Sequence, residues 1–240
     1  MEEEYRYWLN LSSTTNRSVS VILSALSDLV KSYNDIASAA LKDVPEILEN
    51  VDVQLSKLWK DRALIKAAFT EDRARRIFAL FDEQCVSVLQ SSAEKDKIWT
   101  ADSSEAEEFL TDCLAICNKW SDVCRALTEE LWPEDERNRW TSGLVKAEST
   151  EKLRQRLDQI RTIKATVEEV ADLLGSTLDK PHPSEVFMKI DNLNVGKGGD
   201  EVWTAAFRNF DQKMSRYDDV IAERLKKKFY NPTADSRQVC

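Results

Sequence analysis

Histidine is nearly absent: His182 is the single one in 240 residues. That removes most acid–base relays, nucleophile–base pairs and His-ligated metal sites at once. Glycine and proline are scarce too, five of each, whereas a β-sandwich or barrel spends turn residues every ~8–12 positions. The same scarcity argues against a Rossmann or P-loop phosphate cradle. No apolar run approaches the ~20 residues that span a bilayer. Positive charge is in deficit, with 34 Lys and Arg against 43 Asp and Glu and a formal charge of -9. Neither a nucleic-acid footprint nor an anionic-membrane binder is expected from that balance. The first residues, Met1-Glu2-Glu3-Glu4, are acidic where a secretory or mitochondrial leader is basic. The five cysteines are odd in number and lack the paired spacing of a secreted scaffold, so reduced thiols in a cytoplasmic setting are expected.

What is present is helical patterning. Hydrophobic residues make up 42% of the chain, enough for a sizeable core in one large domain or two modest ones. Charged residues make up 32%, and the mean hydropathy is -0.47, which describes a well-solvated surface. Tyr5, Trp8, Leu9 and Leu11 suggest a short opening helix. Leu23, Leu26, Leu29, Val30, Tyr33 and Ile36 then form one face of a helix over about 17–41. Pro45 suits the first turn of a third helix, running to about Lys60 with Leu48, Val51, Leu55, Leu58 and Trp59 inward. Thr70 is a candidate N-cap for a helix with Ile77, Phe78, Phe81, Cys85, Val88 and Leu89 on one side. Ser104 and Glu107 have capping-box spacing for the next, which carries Phe109, Cys113, Cys117, Trp120 and Cys124. Pro133 ends it.

Beyond that break, a helix from about Thr150 to Leu174 spaces apolar residues by four and three, with Gly175 at the expected C-cap. The Lys180–Ser184 segment reads as a connector, and Gly196-Lys-Gly-Gly199 as a flexible loop. The final helix, Asp200 to about Tyr230, carries a seam of Trp203, Phe207, Phe210, Met214, Tyr217 and Ile221, the pattern of antiparallel bundle packing. The fold expected is all-α, an elongated array of antiparallel helical bundles. Residues 1–132 form the first bundle and 133–240 the second. Little nearby sequence is available to cover the final seam, so the second bundle is completed either against the first or by helices beyond Cys240, and in the latter case an apolar patch stays exposed.

Few residues point to chemistry. Cys113, Cys117 and Cys124 share a helix face but lack a paired Cys-x-x-Cys knuckle, so they read as core. Asp218, Asp219 and Glu223 superficially resemble the aspartate-rich box of helical prenyl-diphosphate enzymes. No facing second box accompanies them, and a solvated helix face explains them better. Neither a metal nor a cofactor is expected, and His182 sits between two prolines. Tryptophan is more informative. Trp8, Trp59, Trp120 and Trp203 lie on apolar stripes. Trp99, Trp132 and Trp140 sit near helix ends, where each either anchors a partner or pins a loop to the bundle. With Trp203, Phe207 and Phe210 they make up the candidate partner-binding set.

Several ordered blocks give the chain a family likeness. Glu4-Tyr-Arg-Tyr-Trp8-Leu9, Arg156-Leu-Asp-Gln-Ile-Arg161, and Glu201-Val-Trp203-Thr-Ala-Ala-Phe-Arg-Asn-Phe210-Asp211 followed by Ile221-Ala-Glu-Arg-Leu225 resemble the N-terminal tail of dynein heavy chains. Cys117-Asn-Lys-Trp120 with Cys124, and Ile160-Arg-Thr-Ile163, look closer to the intraflagellar-transport (cytoplasmic type 2) branch than to axonemal or general cytoplasmic motors. The resemblance spans nearly the whole chain. It implies a non-catalytic scaffold that supports association with a second heavy chain and binds intermediate and light-intermediate chains. The setting it implies is cytoskeletal, in a cilium or flagellum, within a minus-end-directed motor serving retrograde intraflagellar transport. The competing interpretation is an unrelated α-helical adaptor or tether of spectrin-like type.

Overall fold

The computed structural model describes residues 2–12, 17–60, 71–131, 147–175, 178 and 182–229. Thr70, Trp132, Pro133, Trp140 and the Asn231-Pro232 stop lie outside these residues, as do the side chains of Trp8 and Trp59. The described residues form seven α-helices with no strand: α1 (Glu2–Ser12), α2 (Arg17–Ser38), α3 (Val44–Lys60), α4 (Glu71–Ser91), α5 (Ser103–Leu131), α6 (Glu148–Leu174) and α7 (Lys197–Phe229). Short 3-10 turns join some of them, at Leu41–Asp43, Ala93–Ile98 and Pro183–Val186. The all-α expectation holds. Packing divides the chain into two compact units, Met1–Leu157 and Asp158–Cys240, so the first turns of α6 go with the first unit.

In the first unit, α2, α3, α4 and α5 pack face to face. Each contributes the apolar stripe that its periodicity predicts. Leu26, Leu29 and Ile36 of α2, Val44, Leu48 and Val51 of α3, and Ile77, Phe81, Cys85 and Leu89 of α4 are all sealed from solvent. From α5 come Leu110, Cys113, Ile116, Cys117 and Trp120. At about 1.5–3 kcal/mol for each fully buried large aliphatic or aromatic side chain, this core outweighs any weak helix propensity. Its aromatic centre is Trp120, whose ring centroid lies 5.8 Å from Phe81 and 6.2 Å from Phe78. Tyr33 meets Phe81 edge-on at 5.7 Å. α1 is fastened by Arg73 of α4, which pairs with Glu4 at 2.6 Å and lies over the Tyr7 ring at 3.5 Å.

One polar contact sits within this core. Asp82 of α4 is 5% exposed, and Thr150 of α6 is fully buried. The Asp82 carboxylate accepts hydrogen bonds from the backbone N–H of Ser149 at 2.9 Å, the backbone N–H of Thr150 at 3.2 Å, and the Thr150 hydroxyl. A helix begins with unsatisfied N–H donors and partial positive charge. A buried carboxylate has the opposite deficit. Asp82 therefore acts as an N-cap supplied from a different helix, 67 positions away in sequence.

The second unit is built on the rest of α6, the Pro183–Val186 turn, the segment to Val195, and α7. Phe187, fully buried, stacks at 4.9 Å from Trp203 and 5.5 Å from Phe210. The Trp203 indole N–H donates to Gln159 Oε1 at 2.9 Å, fastening α7 to α6. Gly175 closes α6 as expected, with φ +58, in the left-handed region that glycine adopts without a Cβ clash. The Arg224 guanidinium donates to the Leu174 carbonyl, one of the orphan acceptors at that helix end.

Two local expectations are corrected. The cap of α5 is Asp102, whose Oδ1 accepts from the Glu105 N–H at 2.8 Å, so Ser104 and Glu107 lie inside the helix. A carboxylate at this position answers both the orphan donors and the helix dipole. The glycines at 196–199 are not a free loop, because α7 already starts at Lys197. A Cβ on Gly199 would stand 2.2 Å from the Asn194 carbonyl oxygen, so glycine there permits close packing of the preceding turn.

Asp82→Ala removes the acceptor from three donors. It should lower unfolding stability by about 2–3 kcal/mol, whereas Asp82→Asn, which still accepts, should cost about half of that. Urea unfolding followed by circular dichroism measures both. Equal, small losses in the two variants would refute the cross-helix cap.

Candidate surface for partner docking

Titratable chemistry in the described residues is sparse and mostly structural. His182 caps the Pro183–Val186 turn: its Nδ1 lies 2.6 Å from Ser184 Oγ and accepts from the Ser184 N–H, while Glu185 accepts from the His182 N–H at 3.1 Å. Partial burial holds its pKa below the ordinary value, with Glu185 opposing weakly. The imidazole is occupied as a cap acceptor.

Cys85, Cys113, Cys117 and Cys124 are all buried and unpaired by disulfides, three on α5 and one on the facing α4. Burial, the largest cause, pushes the thiols of Cys85, Cys113 and Cys124 well above their ordinary value. Among the described residues, no group of three or more His, Cys, Asp or Glu is arranged to hold a metal ion. Asp218, Asp219 and Glu223 are exposed on the last third of α7. Nor is any described helix long and apolar enough to cross a membrane.

A cleft of about 630 Å³ opens between the end of α2, the Ala93–Ile98 turn and the first half of α5. Glu94, Glu105, Glu108 and Asp112 reach it, together with Lys42 and Lys97. Burial, then Glu108 and Glu94, raise the pKa of Asp112 above the ordinary carboxylate value, against the pull of Lys42. The described lining of the cleft carries neither His nor Cys.

The aromatic candidates separate by position. Trp99 is half-buried at the end of the Ala93–Ile98 turn. Trp203 and Phe210 are each 5% exposed and point into the second unit's core. Phe207 is different: it is 40% exposed, its ring 6.4 Å from that of Phe210. The expected seam on α7 is therefore shifted. Ala206 is buried where Phe207 was expected, because its small side chain turns toward the core and leaves the larger ring on the helix shoulder. Val220 is 44% exposed, and Leu225 is 42% exposed. Phe187, the residue both buried aromatics stack on, carries no periodic signal because it follows a one-turn 3-10 segment. Its only trace in the sequence is the apolar run Val186-Phe-Met ahead of Ile190.

Residues 10–237 match the family model described as dynein heavy chain, N-terminal region 1. Among similar proteins are cytoplasmic dynein 2 heavy chain 1 of Tripneustes gratilla, 20% identical over 246 residues, and that of Chlamydomonas reinhardtii, 21% identical over 254. The Homo sapiens protein of the same name is 18% identical over 233 residues. These alignments cover 99%, 95% and 93% of this chain but only 6%, 6% and 5% of the relatives. The chain thus spans a small fraction of their length. No solved structure matches it significantly.

Two measurements check the local chemistry. In native conditions Ellman's reagent should leave the four core thiols unmodified over minutes, and denaturant should release them; fast native reaction of two or more would contradict their burial. His182, the sole imidazole, should titrate by NMR with a midpoint below ~6.5. Its folded pKa is depressed, so its share of stability is intact above the unfolded value and is lost as pH falls through the folded one. His182→Asn should keep the cap and abolish that dependence.

Proposed function

The chain belongs to the dynein heavy chain N-terminal region 1 family, and from that premise we propose that it is a non-catalytic tail segment of a cytoplasmic dynein 2-like heavy chain. Its work is assembly. The segment scaffolds association with a second heavy chain and offers helix surfaces to intermediate and light-intermediate chains of a minus-end-directed microtubule motor. Retrograde intraflagellar transport in a cilium is the setting that the cytoplasmic dynein 2 names of its relatives support.

The observation that carries this reading is the family match over residues 10–237, which takes in both packing units. The physical character of the chain agrees. Its described carboxylates and thiols are core or surface groups, and its exposed large apolar residues, including Leu173, Val202, Phe207, Val220 and Leu225, lie on helices. Trp99 and Phe207 are the partner-facing candidates. Trp203 and Phe210 support Phe207 from beneath by holding α7 in place.

Co-expression of the 240-residue chain with purified-tag versions of a dynein 2 intermediate chain and a light-intermediate chain tests the proposal. At least one subunit should co-purify in a defined ratio through size exclusion, and the complex should show no ATP turnover. A chain that folds by circular dichroism yet captures neither subunit nor a second copy of itself would overturn the reading.

A further inference from the structure

On α7, at 100° per residue, the buried stripe of Trp203, Ala206, Phe210 and Met214 runs down the middle of one face. An uncovered shoulder lies on each side of it. One carries Phe207 and Leu225, 40% and 42% exposed, with Asp211 and Asp218 between them. The other carries Val202 and Val220, 49% and 44% exposed, with Lys213, Arg216 and Lys227. The two shoulders are thus of opposite charge. Among the described residues, neither Asp211 nor Asp218 is in an ion pair, and neither is Lys213 or Lys227.

We propose that the Phe207–Leu225 shoulder is the docking face for an amphipathic helix of a partner protein whose apolar stripe is bordered by basic residues spaced seven apart. The geometry sets that spacing. Asp211 and Asp218 are seven residues apart, two helical turns, so a helix lying alongside presents matching cations at the same interval. Phe207 and Leu225 are eighteen residues apart, about 27 Å along the axis, and bracket the two carboxylates. A partner helix of about five turns covers both apolar ends and both acids. Burial of Phe207 and Leu225 drives association, and the carboxylates choose the partner and its register. The basic shoulder opposite rejects the same helix. A second copy of α7 is a poor occupant in antiparallel pairing, because like shoulders then face each other and Asp211 and Asp218 meet acids.

This deepens the assembly role proposed above and rests on it for the identity of the complex, while the chemistry of the face stands on its own. The probes are two synthetic helical peptides of equal composition, one with Lys at i and i+7 beside the apolar stripe and one with Glu there and Lys on the far face. Fluorescence anisotropy with the full chain should show the Lys-bordered peptide binding at least about tenfold tighter. Asp211→Lys with Asp218→Lys should reverse the preference. Lys213→Glu with Lys227→Glu, on the other shoulder, should leave it unchanged. Phe207→Ala should weaken both peptides while circular dichroism stays native, since the ring lies at the edge of the core, 40% exposed. Equal binding of both peptides, no binding of either, or an unchanged preference in the Asp double variant overturns the proposal. So does sedimentation showing that the chain dimerises through this face. Failure here with intact capture of dynein subunits would reject the face alone, and failure of capture with a clean peptide switch would reject the motor assignment alone.

Discussion

The contact between Asp82 and the start of α6 is the constraint on which the first unit's arrangement depends. A carboxylate with 5% exposure is tolerable only if donors surround it, and a helix N-terminus in the same place is tolerable only if an acceptor meets it. Each deficit is cancelled by the other. The consequence is positional: α4 must present residue 82 where α6 begins, so α6 enters the structure at one point and at one height along α4. Leu153 and Leu157, both buried, belong to the first unit, and the buried Ile160 and Ile163 to the second. Apolar packing alone is less selective, because many similar stripes fill a core almost equally well.

The rest of the first unit is held by area rather than by chemistry. Trp120 with Phe78 and Phe81 makes an aromatic centre, and four cysteines are buried in the same unit as small apolar side chains. The indole N–H of Trp120 has no hydrogen-bond partner among the described residues. Its cost of ~1–3 kcal/mol is accepted for the shape of the ring, which no aliphatic side chain reproduces. In the second unit Phe187 has the same office for Trp203 and Phe210. Both units therefore place bulky aromatics at their centres, and of the acids and bases of the first unit only Asp82 and Arg156 are buried among the described residues.

Much of this was legible in the sequence because helical periodicity is a local signal. The stripes of α2 to α6, the Pro45 start, the Gly175 stop and the burial of the cysteines all follow from spacing and residue type. Contacts without a local signature were not legible. Asp82 reads as an ordinary acid on an amphipathic helix, and only the fold brings it to Thr150. Phe187 sits after a four-residue 3-10 turn, too short for any period to form. On α7 a strict heptad seam selects Phe207, but a helix turns 100° per residue, which sets Phe207 and Ala206 on opposite sides of the Trp203–Phe210–Met214 line. Ala206 lies inside in consequence, and the shoulder that Phe207 occupies becomes visible only from burial. The candidate surface was thus half-readable: its residues could be named, but not which of them face outward.

That distinction joins structure to role. Among the described residues the thiols are interior, the one imidazole is a cap, and the large exposed apolar side chains of α7 lie on its helix surface. The central claim is that α7 is an assembly surface resting on a core that does not change. Hydrogen exchange measured by mass spectrometry, on the chain alone and within the motor complex, tests it most directly. The account predicts slow exchange in α3, α4 and α5 in both states, with protection gained on complex formation along Phe207–Leu225 of α7. Protection appearing only in the first unit, with α7 exchanging equally in both states, would contradict it.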